Sequence, residues 1–268
     1  MDDSLQILGQ MPIWGGGALF YTMLLLAMEV GYRTGCRQHA HGEAAKGSGR
    51  NLALNATLSL LGLILAFTFA DGVSHYKARK QSVLEETNAI GTAYLRADLL
   101  AEPGRSELKN ALFEFTKART PEERDRYDHE YVKKILEVSE EKLSMLWPAT
   151  IKAFGGVPSG PVHTSVAASI NEVIDNFAER NHALHDRLPD MVLVLLCFIA
   201  AVALSFVGHN AGVAGQISRW RLAILALVFT GVVLVIMDFD RPESGYILVS
   251  QDGIRTLLEE MRADLGQY

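Results

Sequence analysis

The chain has 268 residues, 49% of them hydrophobic, and carries a net charge of −6 at neutral pH. This mild acidity, without a long basic run, gives no reason to expect a nucleic-acid partner. Two cysteines, Cys36 in a short loop and Cys197 inside an apolar segment, are no basis for a disulfide framework.

The charge is segregated rather than spread. Four apolar stretches, Ile13–Val30, Leu54–Ala70, Met191–Val207 and Leu222–Met237, hold almost none of it. Each approaches the ~20 residues a helix needs to cross ~30 Å of hydrocarbon. Lipid offers no partner to a bare backbone, so each is expected to be helical. The expected fold is an all-α membrane protein. Its four transmembrane helices form two hairpins, with a helical extramembrane insert between the second and third. The expected divisions are 1–71 (first hairpin), 72–187 (insert), 188–240 (second hairpin) and 241–268 (tail with a short helix).

No cleavable signal peptide is expected, because Asp2 and Asp3 precede the first stretch where a basic region would stand. Arg33, Arg37, Lys46 and Arg50 follow it, and Arg219 and Arg221 precede the fourth stretch. These basic loops favour a cytoplasmic side for both hairpin loops, and an outer side for the insert and termini. Lys77, Arg79 and Lys80, just after the second stretch, vote the other way.

Beyond Gly72 the second stretch runs on without proline. Val73, Tyr76, Val83, Ile90, Tyr94 and Ala97 recur at helical spacing, which predicts one long helix leaving the membrane. Glu102-Pro103-Gly104 ends it. A short helix over Ser106–Arg119 follows, then a fresh start with Thr120 as cap and Pro121 in the first turn. Tyr131, Ile135, Val138, Leu143 and Leu146 stripe the next helix, which Trp147-Pro148 is expected to close. Phe154–Pro161 reads as a loop. Val166, Ile170, Val173, Phe177 and Leu184 then share a helix face leading through Leu188-Pro189-Asp190 into the third stretch. The helical middle is expected to continue into the membrane helices as long stalks. Tyr246–Val249 reads as extended, and Ser250 as the cap of a last helix reaching about Ala263.

Asn55, Ser59, Gly62 and Ala66 recur every three to four residues on the second segment. Small and polar residues on one helix face mean either close helix packing or a pore-lining stripe, with Phe67 or Phe69 as an apolar constriction. Asp71, Asp190, Asp238 and Asp240 collect at one membrane boundary, with Arg187 and Arg241 near enough in sequence to pair with them. In an oligomer they would ring a pore mouth, and such a ring would suit cations. Glu179, His182 and His185 lie on one helix, but a carboxylate-bridged metal pair needs a second Glu-x-x-His, which is absent. No metal site, cofactor or catalytic residue is expected, and no enzyme motif stands out.

Three stretches together resemble the bestrophin-like family of bacterial membrane proteins. The first is Leu65-Ala66-Phe67-Thr68-Phe69, followed by Glu85-Glu86-Thr87-Asn88-Ala89-Ile90-Gly91-Thr92-Ala93-Tyr94-Leu95-Arg96. The second is Ile170-Asn171-Glu172-Val173-Ile174-Asp175, leading into Arg187-Leu188-Pro189. The third is Asp238-Phe239-Asp240-Arg241-Pro242, with Gly245 and Val249-Ser250-Gln251. The resemblance spans Asn55 to Met261 and implies two helix pairs flanking a helical insert. Through the bestrophins, which are pentameric anion channels, it implies a pore lined by the second helix. It also implies a cytosolic insert and termini, the reverse of what the basic loops favour. In this reading Glu85, Asn88 and Arg96 on one stalk helix, and Asn171, Glu172 and Asp175 on the other, form a network that is structural glue or a gate.

The expected function is that of an oligomeric ion channel, or a channel-like protein, of the bacterial inner membrane. It would be multi-pass and not an enzyme, with small inorganic ions as cargo and the lipid bilayer and further copies of itself as partners. The competing reading is a non-conducting sensor or scaffold that binds a partner through the insert.

Overall fold

A computed structural model describes residues 13–40, 47–120, 129–156, 160–215, 219–241 and 247–266. Among them there are helices and no strands. The helices are α1 (Ile13–Ala40), α2 (Gly47–Ala97), α3 (Gly104–Arg119), α4 (His129–Ala153), α5 (Pro161–His185), α6 (Asp190–Val213), α7 (Arg219–Asp240) and α8 (Asp252–Leu265). Four candidate spans are long and apolar enough to cross a membrane: Ile13–Ala40, Asn51–Ala97, Pro161–Val213 and Trp220–Asp240. The proposed Pro121 start and Tyr246 lie outside the described residues.

Two compact units divide the chain. One comprises Met1–Ser74 with Arg187–Arg241, the other His75–Asp186 with Pro242–Tyr268. In the first, large apolar side chains such as Leu26, Leu63, Phe198 and Leu227 face outward, as hydrocarbon as solvent permits. Its interior gathers Phe20, Leu24, Leu61, Leu65, Leu196, Leu204 and Ile236.

Glycines set the tightest contact in this unit. A Cβ on Gly31 would overlap the Ser205 carbonyl, and one on Gly35 the His209 carbonyl. From the other side, Gly208 lies against the Met28 carbonyl and Gly212 against that of Tyr32. Pairing 31 with 205 and 35 with 209 makes α1 and α6 parallel. Against α7 the direction reverses: a Cβ on Gly17 would stand 2.6 Å from Leu234 Cδ2, and the Tyr21 hydroxyl donates to Ala223 O at 3.4 Å. The start of α1, the start of α6 and the end of α7 therefore lie at one end of this unit.

The second unit has an ordinary apolar core. Ile90, Ala93 and Tyr94 of α2, Leu112 and Phe115 of α3, Leu146 of α4, Ile170 and Phe177 of α5, and Ile254 of α8 meet there. The α2 helix runs unbroken for 51 residues, about 75 Å at ~1.5 Å per residue.

Two expectations need correction. Pro148 does not close its helix: α4 continues to Ala153. Proline removes one backbone bond, but the extra turn is anchored. The Thr150 hydroxyl donates to Leu146 O at 2.8 Å, and Gly104 has no side chain to displace the Ala153 backbone packed against it. Nor is the entry to the third span a continuous stalk, because residues 186–189 are not helical. Pro189 cannot donate a helical N–H and disfavours helix at Leu188. At the last helix the Ser250 hydroxyl does accept an early amide, Asp252 N–H at 3.1 Å, although the helix begins one residue later than a Ser250 cap implies.

Candidate functional site

Within its span, α2 has three faces about a third of a turn apart, given ~100° per residue. Leu61, Leu65, Thr68 and Gly72 are buried against the rest of the unit. Leu60, Leu63 and Phe67 form an exposed apolar face, Phe67 being 67% exposed. Asn55, Ser59, Gly62 and Ala66 form the third, and all four are exposed. A Cβ on Gly62 would meet nothing within 4 Å. Among the described residues, therefore, the small and polar stripe is not a packing surface. Of the two aromatic constriction candidates, Phe67 lies on the apolar face, while Phe69 borders the stripe with its ring edge-on to Phe239 at 5.9 Å.

The boundary carboxylates do not behave alike. Asp71 and Asp190 are exposed. Asp238 and Asp240 are turned inward, and Asp240 Oδ1 accepts the Leu188 N–H at 2.7 Å. This bond pins the entry of α6 to the exit of α7, so that carboxylate is committed to the backbone. Arg187 is exposed and Arg241 half-buried beside it.

In the second unit, the expected stalk network is not the one found. Asn88, Asn171, Glu172 and Asp175 are exposed, and half-buried Glu85 only accepts from Gln81 at 2.8 Å. Arg96 donates to the Ser165 carbonyl at 3.3 Å. A buried network centres instead on Glu86, one residue along from Glu85. Glu86, fully buried, receives Arg119 Nε at 2.8 Å on one oxygen and Arg180 Nη1 on the other. Arg180 Nη2 reaches Gln251 Oε1 at 2.8 Å, and Arg119 Nη2 reaches Asn181 Oδ1 at 3.2 Å. The Arg119 guanidinium also lies over the Phe177 ring at 4.5 Å. Burial is the main reason its pKa is pushed down to about 10; neighbouring Arg180 adds to the fall, and Glu86 opposes it. The cation therefore persists at neutral pH. One residue on a helix is a rotation of about 100°, which separates half-buried Glu85 from fully buried Glu86.

Arg119 and Arg180 carried a readable signal. Arg119 follows Leu108, Leu112 and Phe115 in helical phase, and Arg180 follows Val173 and Phe177. A charge on an apolar stripe needs a buried partner, and Glu86 stands in phase with Val83 and Ile90. The network joins Glu86 to Gln251 through Arg180, just as the Asp240 bond joins Leu188 to the end of α7. Pieces of sequence far apart in the chain thus meet in pairs.

A second polar cluster fixes α8. Buried Lys109 contacts Asp98 at 2.6 Å and Asp264 at 2.9 Å, and the Tyr94 hydroxyl donates to Asp264 at 2.8 Å. Among the described residues, no group of three or more His, Cys, Asp or Glu is placed to hold a metal ion.

A family model described as Bestrophin-like domain matches residues 51–254. No curated protein and no solved structure matches the chain.

Proposed function

The chain belongs to the bestrophin-like family, and on that premise we propose that it is an ion channel assembled from several copies of itself. It passes small inorganic ions without chemical change to them, and the Asn55–Ser59–Gly62–Ala66 face of α2 lines the path. The observation that carries this reading is the exposure of that face beside the apolar outer face of Leu60, Leu63 and Phe67 on the same span. A polar side chain left against hydrocarbon costs free energy unless it meets water or a partner. Copies arranged around an aqueous path supply both. Gly62 and Ala66 keep the path wide, and Ser59 and Asn55 offer hydrogen bonds to a partly dehydrated ion.

Purified protein in planar bilayers tests the proposal. Ion current is expected, and Ser59→Lys should shift the balance between cation and anion permeability while Leu63→Lys should not. Absence of current at every voltage and pH would contradict it and leave the sensor or scaffold reading in its place.

A further inference from the structure

We propose that the cavity between the start of α6 and the end of α7 is a phosphate-binding subsite at the membrane boundary. Its ligand is the headgroup phosphate of an anionic phospholipid or free inorganic phosphate. The cavity measures about 90 Å³, with the guanidinium-bearing Arg187 and Arg241 in its wall. Leu193, one turn into α6, and Met237, one turn before the end of α7, line it as well. Charge therefore stands at the boundary and apolar surface toward the hydrocarbon, the same order in which a phospholipid presents its phosphate and its chains.

Two acids also line the cavity, and neither makes it a cation site. Asp240 spends an oxygen on the Leu188 N–H at 2.7 Å, and Asp190 is exposed, so water weakens its field as it does that of exposed Arg187. Arg241 is held below its ordinary range by burial first and by Arg187 second, with Asp240 pulling the other way. An anion seated between the two guanidiniums relieves that repulsion through charge-assisted hydrogen bonds. The first turn of α6 has no side-chain cap; its Val192 N–H already bonds Pro189 O at 2.8 Å, which leaves the amides of Asp190 and Met191 as further donors. The Asp240–Leu188 bond holds the wall in place before any ligand arrives. The site stands whether or not the protein conducts.

Thermal unfolding of the delipidated full chain in a neutral detergent tests it, with phosphatidylglycerol, diacylglycerol or inorganic phosphate added. A rise of several degrees is expected with phosphatidylglycerol and none with diacylglycerol. Most of that rise should be lost in Arg187→Gln and Arg241→Gln but kept in Arg33→Gln, an exposed arginine on α1 outside the cavity. A rise with inorganic phosphate alone, lost in the same variants, also supports the site and assigns it to the free ion. Because Arg187 is exposed, Arg187→Gln keeps the test decisive if Arg241→Gln fails to fold. No rise with either phosphate source, an equal rise with diacylglycerol, or a rise that survives Arg187→Gln overturns the proposal.

Discussion

Where α1 meets α6, backbones touch through Gly31, Gly35, Gly208 and Gly212; in the second unit, Phe115, Ile170, Leu112 and Ile254 keep the helices apart. The first unit carries large apolar side chains such as Leu26, Leu63 and Phe198 on its outside as well as in its interior and closes α1 on α6 through glycine, whereas the second spaces its helices with a core of large side chains. The solvent accounts for the difference. Lipid is as apolar as leucine, so burying leucine against another helix gains little there, and close backbone approach supplies the dispersion energy instead. In water the apolar area itself drives assembly, and a core of large side chains can even enclose a charged cluster, provided each charge finds a partner.

That contrast can be broken at either unit. The largest effect is expected for Gly31→Leu, whose side chain would be driven into the rigid Ser205 backbone. A loss of about 3 kcal/mol or more is expected, seen as aggregation or early melting in detergent. Gly62→Ala, where no atom lies within 4 Å, should melt as the parent does. Next comes Glu86→Gln, which leaves two buried guanidiniums facing each other. It should cost about 3–5 kcal/mol, while Glu85→Gln, one residue away, should stay within about 0.5 kcal/mol. Equal effects at 85 and 86 would refute the buried network.

Acid should produce a smaller and local change. The Asp264 carboxyl is held below its ordinary range, first by the Lys109 hydrogen bond and then by that from Tyr94. A depressed acid stabilises the fold above its unfolded value of about 4, and the contribution disappears as pH falls through the folded value. Amide exchange in α8 should therefore accelerate below about pH 4, and Asp264→Asn should flatten that dependence. Lys109 works at the alkaline end. Burial lowers it, but the bonds to Asp98 and Asp264 outweigh burial and raise it. Its contribution holds below about pH 10.4 and is lost as pH rises through the folded value.

Much of the helical architecture could be read from composition, because an apolar run in lipid has few alternatives to helix. The stripe Val166–Ile170–Val173–Phe177 was equally legible and is buried as its spacing requires. Helix ends were harder: beyond Pro148 the helix is held by the Thr150–Leu146 bond within it and by the Ala153 backbone packed on Gly104, and the second of these contacts local sequence does not report. Of the buried charged network only Glu86 lies one residue from a predicted member, Glu85, while Arg119 and Arg180 were outside the predicted set, since a motif read as a string does not reveal which side of its helix faces inward. The paired Gly-x-x-x-Gly patterns of α1 and α6 were present in the sequence but unassigned, their partners lying more than 170 positions apart.

Thiol modification along α2 tests the central claim most directly. Single cysteines at positions 55, 59, 60, 62, 63, 66 and 67, with Cys36 and Cys197 replaced, are exposed in membranes to a charged, water-soluble reagent. Reaction at 55, 59, 62 and 66, with positions 60, 63 and 67 inert, is the predicted pattern. Inert cysteines at all seven positions, or reaction without helical phase, would contradict an aqueous path along this face.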